Sequence, residues 1–171
     1  MSPKRKILIL STVQYGYHTD TYMYGKFIDK DKYLLDYFCP DLGFPKIEPN
    51  GCNVYYLNYQ SNKYLRLINF NIQIAEFLLR NKYDLVFHLY TKYNLITRFI
   101  LLNRPLVLDI RTGDLSENNF VRRIKNFKIA FASLFYKKVS IISESLAEVL
   151  KVKRNKIYVI PLGGEIQPIP P

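Results

Sequence analysis

Short apolar runs alternate with longer amphipathic ones along the whole chain. The first run, KILILST at 6–12, is continuous, the pattern of a parallel strand buried on both faces. Similar runs lie at 33–38, 54–57, 84–89, 105–110, 138–142 and 156–160. Between them, 64–80 places Leu65, Ile68, Ile72, Ala75 and Leu79 at helical spacing, and 94–103 reads as a second, short helix. The clearest helix is 119–136, with Phe120, Val121, Ile124, Phe127, Phe131, Leu134 and Phe135 on one stripe. In an α/β domain such a stripe is expected to cover the sheet, so it is assigned to the core. A helix at 143–150 has Ser145 and Glu148 at capping-box spacing, with Ser143 as a rival N-cap. Another short helix is expected near 21–29, and 40–53, with its prolines and glycines, reads as a loop or hairpin.

This alternation predicts one α/β domain: a Rossmann-like open, mostly parallel sheet with helices on both faces. The length, 171 residues, suits one domain and is short for two. An apolar content of 49% excludes a disordered chain, and no uninterrupted apolar run approaches the ~18 residues of a membrane span. Cys39 and Cys52 are too few for a disulfide framework, so a reduced, cytoplasmic protein is the default. The charge changes the picture more. The chain carries 25 basic and 14 acidic residues, a net +11. The stretch 118–156 alone holds 10 basic and 2 acidic residues, or +8. Such a block indicates an anionic partner or a solvated lysine-rich face. Arg122, Arg123, Lys125 and Lys128 make 119–136 a basic helix able to contact an anionic membrane, placing the protein peripherally at the inner face.

In an open parallel sheet, ligands bind beyond the carboxyl ends of the strands. The loop after the first strand offers Tyr15, Gly16, Tyr17, His18 and Asp20, with neither G-x-G-x-x-G nor a P-loop pattern. His88, late in the fourth strand, is either a binding residue or a core histidine. The fifth strand ends in Asp109, Ile110, Arg111, Thr112, Gly113 and Asp114. Asp109 and Arg111 point to one side, as a structural ion pair or as groups facing a cleft. This is the best site candidate. Neither the histidines nor the cysteines have metal-ligand spacing, so no metal is expected.

The runs DLVFHLY, PLVLDIRTG, KKVSIISESLAEVLKV and RNKIYVIPLGGE, in this order, resemble the N-terminal half of retaining glycosyltransferases of family 4, which have the GT-B fold. The opening KILIL strand fits the same resemblance. Pro161-Leu-Gly-Gly-Glu165 stands where that family has P-N-G-V-D, only Gly16 remains of its glycine pair, and its histidine after the fifth strand is absent. The resemblance implies a domain at 1–165 followed by the start of an interdomain linker at 166–171. It implies an acceptor-binding half of a nucleotide-sugar-dependent enzyme of polysaccharide or glycolipid synthesis, incomplete without a donor-binding domain. Gly16 would then lie near the donor phosphates, and Asp109 and Arg111 would be catalytic, facing the transferred sugar or the acceptor hydroxyl. Tyr15, Tyr17, His18, His88, Thr112, Gly113 and Asp114 would bind substrate. The implied partners are a nucleotide-sugar donor and a sugar or lipid-linked acceptor, with no cofactor and no metal. Two other readings stand beside it: an accessory or anchoring subunit of a glycosyltransferase, and a basic nucleic-acid-binding module. The second is disfavoured, because the basic block is interleaved with phenylalanines assigned to the core.

Overall fold

The computed structural model describes residues 3–49, 51–58, 63–91, 94–101 and 103–161. The expected linker at 166–171 and the motif from Leu162 to Glu165 lie outside the described residues. Among the described residues seven strands form one sheet: β1 (Arg5–Leu10), β2 (Tyr33–Asp41), β3 (Asn53–Asn58), β4 (Leu85–Leu89), β5 (Leu106–Ile110), β6 (Lys138–Ile141) and β7 (Ile157–Val159). Their spatial order is β3-β2-β1-β4-β5-β6-β7, and every pairing is parallel. The α-helices among the described residues are α1 (Thr19–Phe27), α2 (Lys63–Arg80), α3 (Asn94–Ile100), α4 (Asn119–Leu134) and α5 (Glu144–Leu150). The expected α/β class is therefore the observed one. The chain builds outward from β1 to β3, then crosses back to place β4 on the other side of β1. The β1/β4 boundary is thus the switch point, where an open α/β sheet forms its crevice.

Alternation along the strands divides the interior in two. Leu8, Leu10, Val86, Leu108, Ile110, Val139 and Ile141 face one layer, with Ile74 and Leu78 of α2, Ile129 of α4 and Leu150 of α5. Ile9, Leu35, Tyr37 and Cys39 face the other, against Tyr22 and Tyr24 of α1 and Ile47 of the loop before β3. Strand β2 runs three residues past its expected end, through Pro40. Ser11 N–H donates to Phe38 O, so the position two residues on, Pro40, turns its missing donor to a side where β1 has ended.

Three local expectations change. The stripe expected to be core on α4 faces solvent: Phe120, Val121, Ile124, Phe127, Phe131 and Leu134 are all exposed. This helix meets the sheet layer through Ile129, Ala132 and Ser133 instead, on its opposite side. A similar change occurs on α2, where Leu65, Ile68, Ile72 and Leu79 of the expected stripe are exposed, while Ala75 of that stripe is buried together with Phe70, Ile74 and Leu78. Both helices carry apolar residues on two faces, and the small residues Ala132 and Ser133 let α4 approach closely. Finally, the N-cap of α5 is Ser143, not Ser145: the Ser143 hydroxyl accepts from Leu146 N–H at 3.2 Å.

The inverted face of α2 gives a direct check. Ile74→Ala, at a fully buried site, should cost ~2–5 kcal/mol of unfolding free energy by urea titration. Ile72→Ala, on the expected stripe, should change it by less than about 1 kcal/mol. Equal costs at the two positions would contradict the observed orientation.

Candidate functional site

The carboxyl edge of the sheet gathers the loops that follow β1, β4 and β5. The loop after β1 is held from within. Gln14 is fully buried; its side-chain oxygen accepts from Leu42 N–H at 2.8 Å and Phe44 N–H at 3.3 Å, and its amide donates to Phe44 O at 2.8 Å. Tyr17 donates from its hydroxyl to Pro45 O at 3.0 Å and packs its ring on Phe44. Gly16 has φ +88°, and a Cβ there would meet Ile47 Cδ1 at 2.4 Å. Its glycine is thus demanded by the turn and by the loop before β3, a requirement that holds with no ligand present. Tyr15 lies in the core, edge-on to Tyr37, and its hydroxyl accepts from Cys52 Sγ at 3.5 Å. His18 forms the N-terminal boundary of α1 without a side-chain cap, its Nδ1 buried and unpartnered. Tyr17 alone of these tyrosines and His18 is exposed. The sequence gives no hint of Gln14, a polar residue one position before an aromatic loop.

The charged pair after β5 is an interior structure. Arg111 Nε donates to Asp109 Oδ2 at 2.7 Å, with side-chain exposures of 9% and 1%. The second Asp109 oxygen accepts from the Ser140 hydroxyl of β6. The Arg111 guanidinium also bonds the Tyr24 hydroxyl of α1, lies 5.1 Å above that ring, and reaches Ile160 O at 3.4 Å. Burial opposes the Arg111 charge, but the Asp109 carboxylate and the Tyr24 hydroxyl overcome it and raise its pKa. Burial raises the Tyr24 hydroxyl pKa against the pull of Arg111. The structural ion pair foreseen as one alternative is what the geometry shows. Asp109 turns both oxygens to protein partners.

His88 is buried on the other side of the sheet, against Tyr136, whose hydroxyl lies 3.2 Å from Nδ1. Its Nε2 has no partner, and burial pushes its pKa down to about 3. It is a neutral core histidine, remote in environment from the rim.

What the structure does assemble at the rim is a cavity of about 380 Å³ lined by Tyr90, Thr112, Gly113, Asp114, Lys125, Lys128 and Ile129. Tyr90 follows β4 and hydrogen-bonds its N–H to Asp109 O at 2.8 Å, which holds the two loops together. Asn126 of α4 accepts from Asp114 N–H at 2.8 Å, and Gly113 fits beneath it: an added Cβ would lie 3.3 Å from Asn126 Oδ1. The Asp114 carboxylate accepts from Ser116 N–H at 2.9 Å and pairs with Lys125 at 2.9 Å. Hydrogen bonding from Ser116, then Lys125, holds its pKa down at about 2. At neutral pH it is therefore a fixed hydrogen-bond acceptor and a poor proton acceptor. Thr112, Gly113 and Asp114 thus come together with Lys125 and Lys128, which the sequence assigned to a separate contact. Among the described residues no group of histidine, cysteine and carboxylate side chains could hold a metal ion. No helix of the described residues is long and apolar enough to cross a membrane.

Two outcomes follow from these environments. Asp109→Ala should cost roughly 3–5 kcal/mol by urea unfolding, because the enclosed Arg111 is left charged without its carboxylate. Asp109→Leu combined with Arg111→Met should recover much of that loss; a pair needed only for chemistry would leave stability unmoved. His88 is held below its ordinary pKa of 6.5, so the unfolded chain binds the extra proton first. Its contribution is complete above pH 6.5 and is lost as pH falls towards about 3. Within that window each unit should remove up to about 1.4 kcal/mol, and His88→Asn should flatten the difference.

No protein-family model matches the sequence, and no curated protein matches it. Solved structures do. A glycosyltransferase from Rickettsia africae aligns at 17% identity with a TM-score of 0.58, over 92% of this chain and 43% of its own. Anabaena HepE in complex with UDP and glucose aligns at 18% identity and 0.57, over 95% and 45%. Acinetobacter baumannii MurG aligns at 11% identity and 0.52, over 81% and 41%. The chain thus spans less than half the length of each of these proteins. At these identities the likeness is one of fold: the sheet and its helices have the architecture of one half of the GT-B fold.

Proposed function

We propose that this chain is the acceptor-side half of a nucleotide-sugar-dependent glycosyltransferase, completed by a second, donor-binding domain. The rim cavity beside β5 carries the reading. It sits next to the sheet's switch point and sets an ionised carboxylate, a threonine hydroxyl and a tyrosine against two lysines. Sugar hydroxyls are both donors and acceptors, and that mixture meets both needs. Lys128 adds a positive charge for a phosphate or carboxylate on the acceptor, since Lys125 is already paired with Asp114. An acceptor for polysaccharide or glycolipid synthesis, linked to a lipid through phosphate, has this chemistry. Arg123, exposed on the same helix, faces an anionic membrane surface in this reading, whereas Arg122 lies towards the side of α4 that carries Ile129.

Asp109 and Arg111 take a supporting part. They fix the start of the 111–116 loop, so that Thr112, Gly113 and Asp114 are held in place before substrate arrives. Asp114, with its pKa near 2, orients a hydroxyl and does not take its proton. The fold supports a two-domain enzyme in which the cleft between halves excludes water from the activated sugar. A nucleotide-sugar donor would then be held mainly by the second domain. The likeness of fold to HepE, solved with UDP and glucose, supports the donor class.

The test uses amide chemical shifts during titration with a water-soluble, short-chain prenyl-diphosphate sugar. Shifts should concentrate at Thr112, Gly113 and Asp114, and Lys128→Ala should weaken binding about tenfold, as expected for one charge-assisted contact. The same chain should show no turnover of any nucleotide-sugar. Shifts scattered away from this loop, or measurable turnover, would refute the assignment of an acceptor-side half.

A further inference from the structure

The exposed face of α4 is the most unusual surface of the molecule. Phe120, Ile124, Phe127, Phe131 and Leu134 recur at the spacing of one helical stripe, and all are exposed, Phe120 by 71% and Phe127 by 68%. Ile129, Ala132 and Ser133, the residues that α4 buries, lie about half a turn round. The rings are in register: Phe127 stacks on Phe131, and Phe131 meets Phe135 edge-on at 5.2 Å. Phe135 in turn meets Phe99 of α3, itself exposed. The apolar surface therefore continues from one helix to the next. Arg123 borders the stripe on one side and Lys128 on the other. The helix sequence NFVRRIKNFKIAFASL contains four basic residues and no acidic one.

We infer that this face docks in the interface of an anionic lipid bilayer, with α4 parallel to the surface and its phenylalanines among the acyl chains. Charge decides between occupants. A second copy packing its α4 here would bring Arg123 and Lys128 against their own kind, with no carboxylate on either helix to offset them. A bilayer bearing anionic headgroups places negative charge at the level of those flanking side chains and apolar chains beneath the stripe. Single-stranded nucleic acid would use the rings as stacking platforms, but Ile124 and Leu134 present no π-face and interrupt them. The inference goes beyond attraction of basic residues to a surface: the apolar side chains insert.

It also gives the proposed acceptor site a setting. Lys128 lies both on the border of the stripe and in the lining of the rim cavity. A helix lying in the interface holds that cavity at headgroup depth, where a lipid-linked phosphate would present its sugar. This last step rests on the acceptor reading; the docking itself does not.

The chain contains no tryptophan, so Phe127→Trp gives a single reporter on the stripe. With phosphatidylcholine vesicles containing phosphatidylglycerol, its emission should shift to the blue and be quenched by brominated acyl chains. Phosphatidylcholine alone should give little of either. Phe127→Ser with Phe131→Ser should lower vesicle binding at least about tenfold while leaving the unfolding midpoint in place, since both side chains are exposed. Arg123→Gln, which removes the charge on one border of the stripe, should lower it by roughly fivefold at low salt and less at high salt, where the Debye length shrinks. Absent vesicle binding, an unshifted emission spectrum of the tryptophan reporter, or binding indifferent to the serine pair would overturn the inference. So would self-association, or oligonucleotide binding, that the serine pair abolishes while vesicles go unbound. None of these variants alters Tyr90, Thr112, Asp114 or Lys128, and the soluble-acceptor titration contains no lipid bilayer. Failure of docking is thus read separately from failure of the acceptor assignment.

Discussion

Asp109 and Arg111 bring opposite charges into the interior at the point where three strands end, and much of the rim is arranged around their requirements. A buried carboxylate is tolerable only when its oxygens are engaged, and a buried guanidinium only when its donors find acceptors. Here the carboxylate takes Arg111 and the Ser140 hydroxyl, and the guanidinium takes Asp109, the Tyr24 hydroxyl and Ile160 O. Those partners come from β5, β6, α1 and the segment leaving β7. Satisfying two residues therefore fixes the relative positions of four parts of the chain. The loop that starts at Arg111 inherits that order, and Asn126 and Lys125 hold its far end. Desolvation makes such a pair weak as a source of net stability and strong as a constraint on geometry, because any rearrangement strands a charge.

The fold was legible because its signal is a period. Continuous apolar runs separated by helical stretches specify a buried parallel sheet whatever the details, and each expected strand appears within a few residues. Helix direction is another matter. On α4 and α2 the spacing of apolar residues located a stripe correctly, but periodicity carries no sign telling which side meets the sheet. When a helix is apolar on two faces, side-chain volume decides: Ala132 and Ser133 permit close packing, whereas Phe127 and Phe131 would hold the helix away. On α4 the large residues announced themselves in the sequence and small ones did the packing, whereas α2 packs through Phe70, Ile74 and Leu78 beside Ala75. The two serines before α5 show the same limit at smaller scale, since both Ser143 and Ser145 suit an N-cap and only the observed extended backbone at Ser143 chooses between them.

The candidate site divides along a similar line. The loop after β5 was visible as a cluster of polar residues on an apolar strand tip, because charge in that position demands an explanation. Its partners on α4 were visible only as a basic block, since nothing in the spacing of Asp114 and Lys125 implies that a helix returns over the loop. The aromatic loop after β1 misled for the opposite reason. Tyrosine and histidine are as serviceable in a core as in a sugar site, and Tyr15 and His88 are buried. Gly16 was singled out as a neighbour of donor phosphates, but what requires a glycine there is its φ of +88° and the closeness of Ile47.

Helix α4 is where the two proposed surfaces meet, and its composition suits that position. Its inner side is short of bulk and so lies close to the sheet, which brings Lys125, Asn126 and Lys128 to the loop after β5. Its outer side is rich in phenylalanine, which a solvated helix covering a sheet has no need to carry. A soluble protein normally disperses exposed apolar residues, because a contiguous patch invites association. Keeping five such side chains on one stripe, bordered by positive charge and free of negative charge, is stable in solution only at the cost of hydrating them. That cost is removed when the stripe leaves water for hydrocarbon. The same transfer sets the distance between the rim cavity and the surface, so one helix would determine both where the protein resides and which part of an acceptor reaches Asp114.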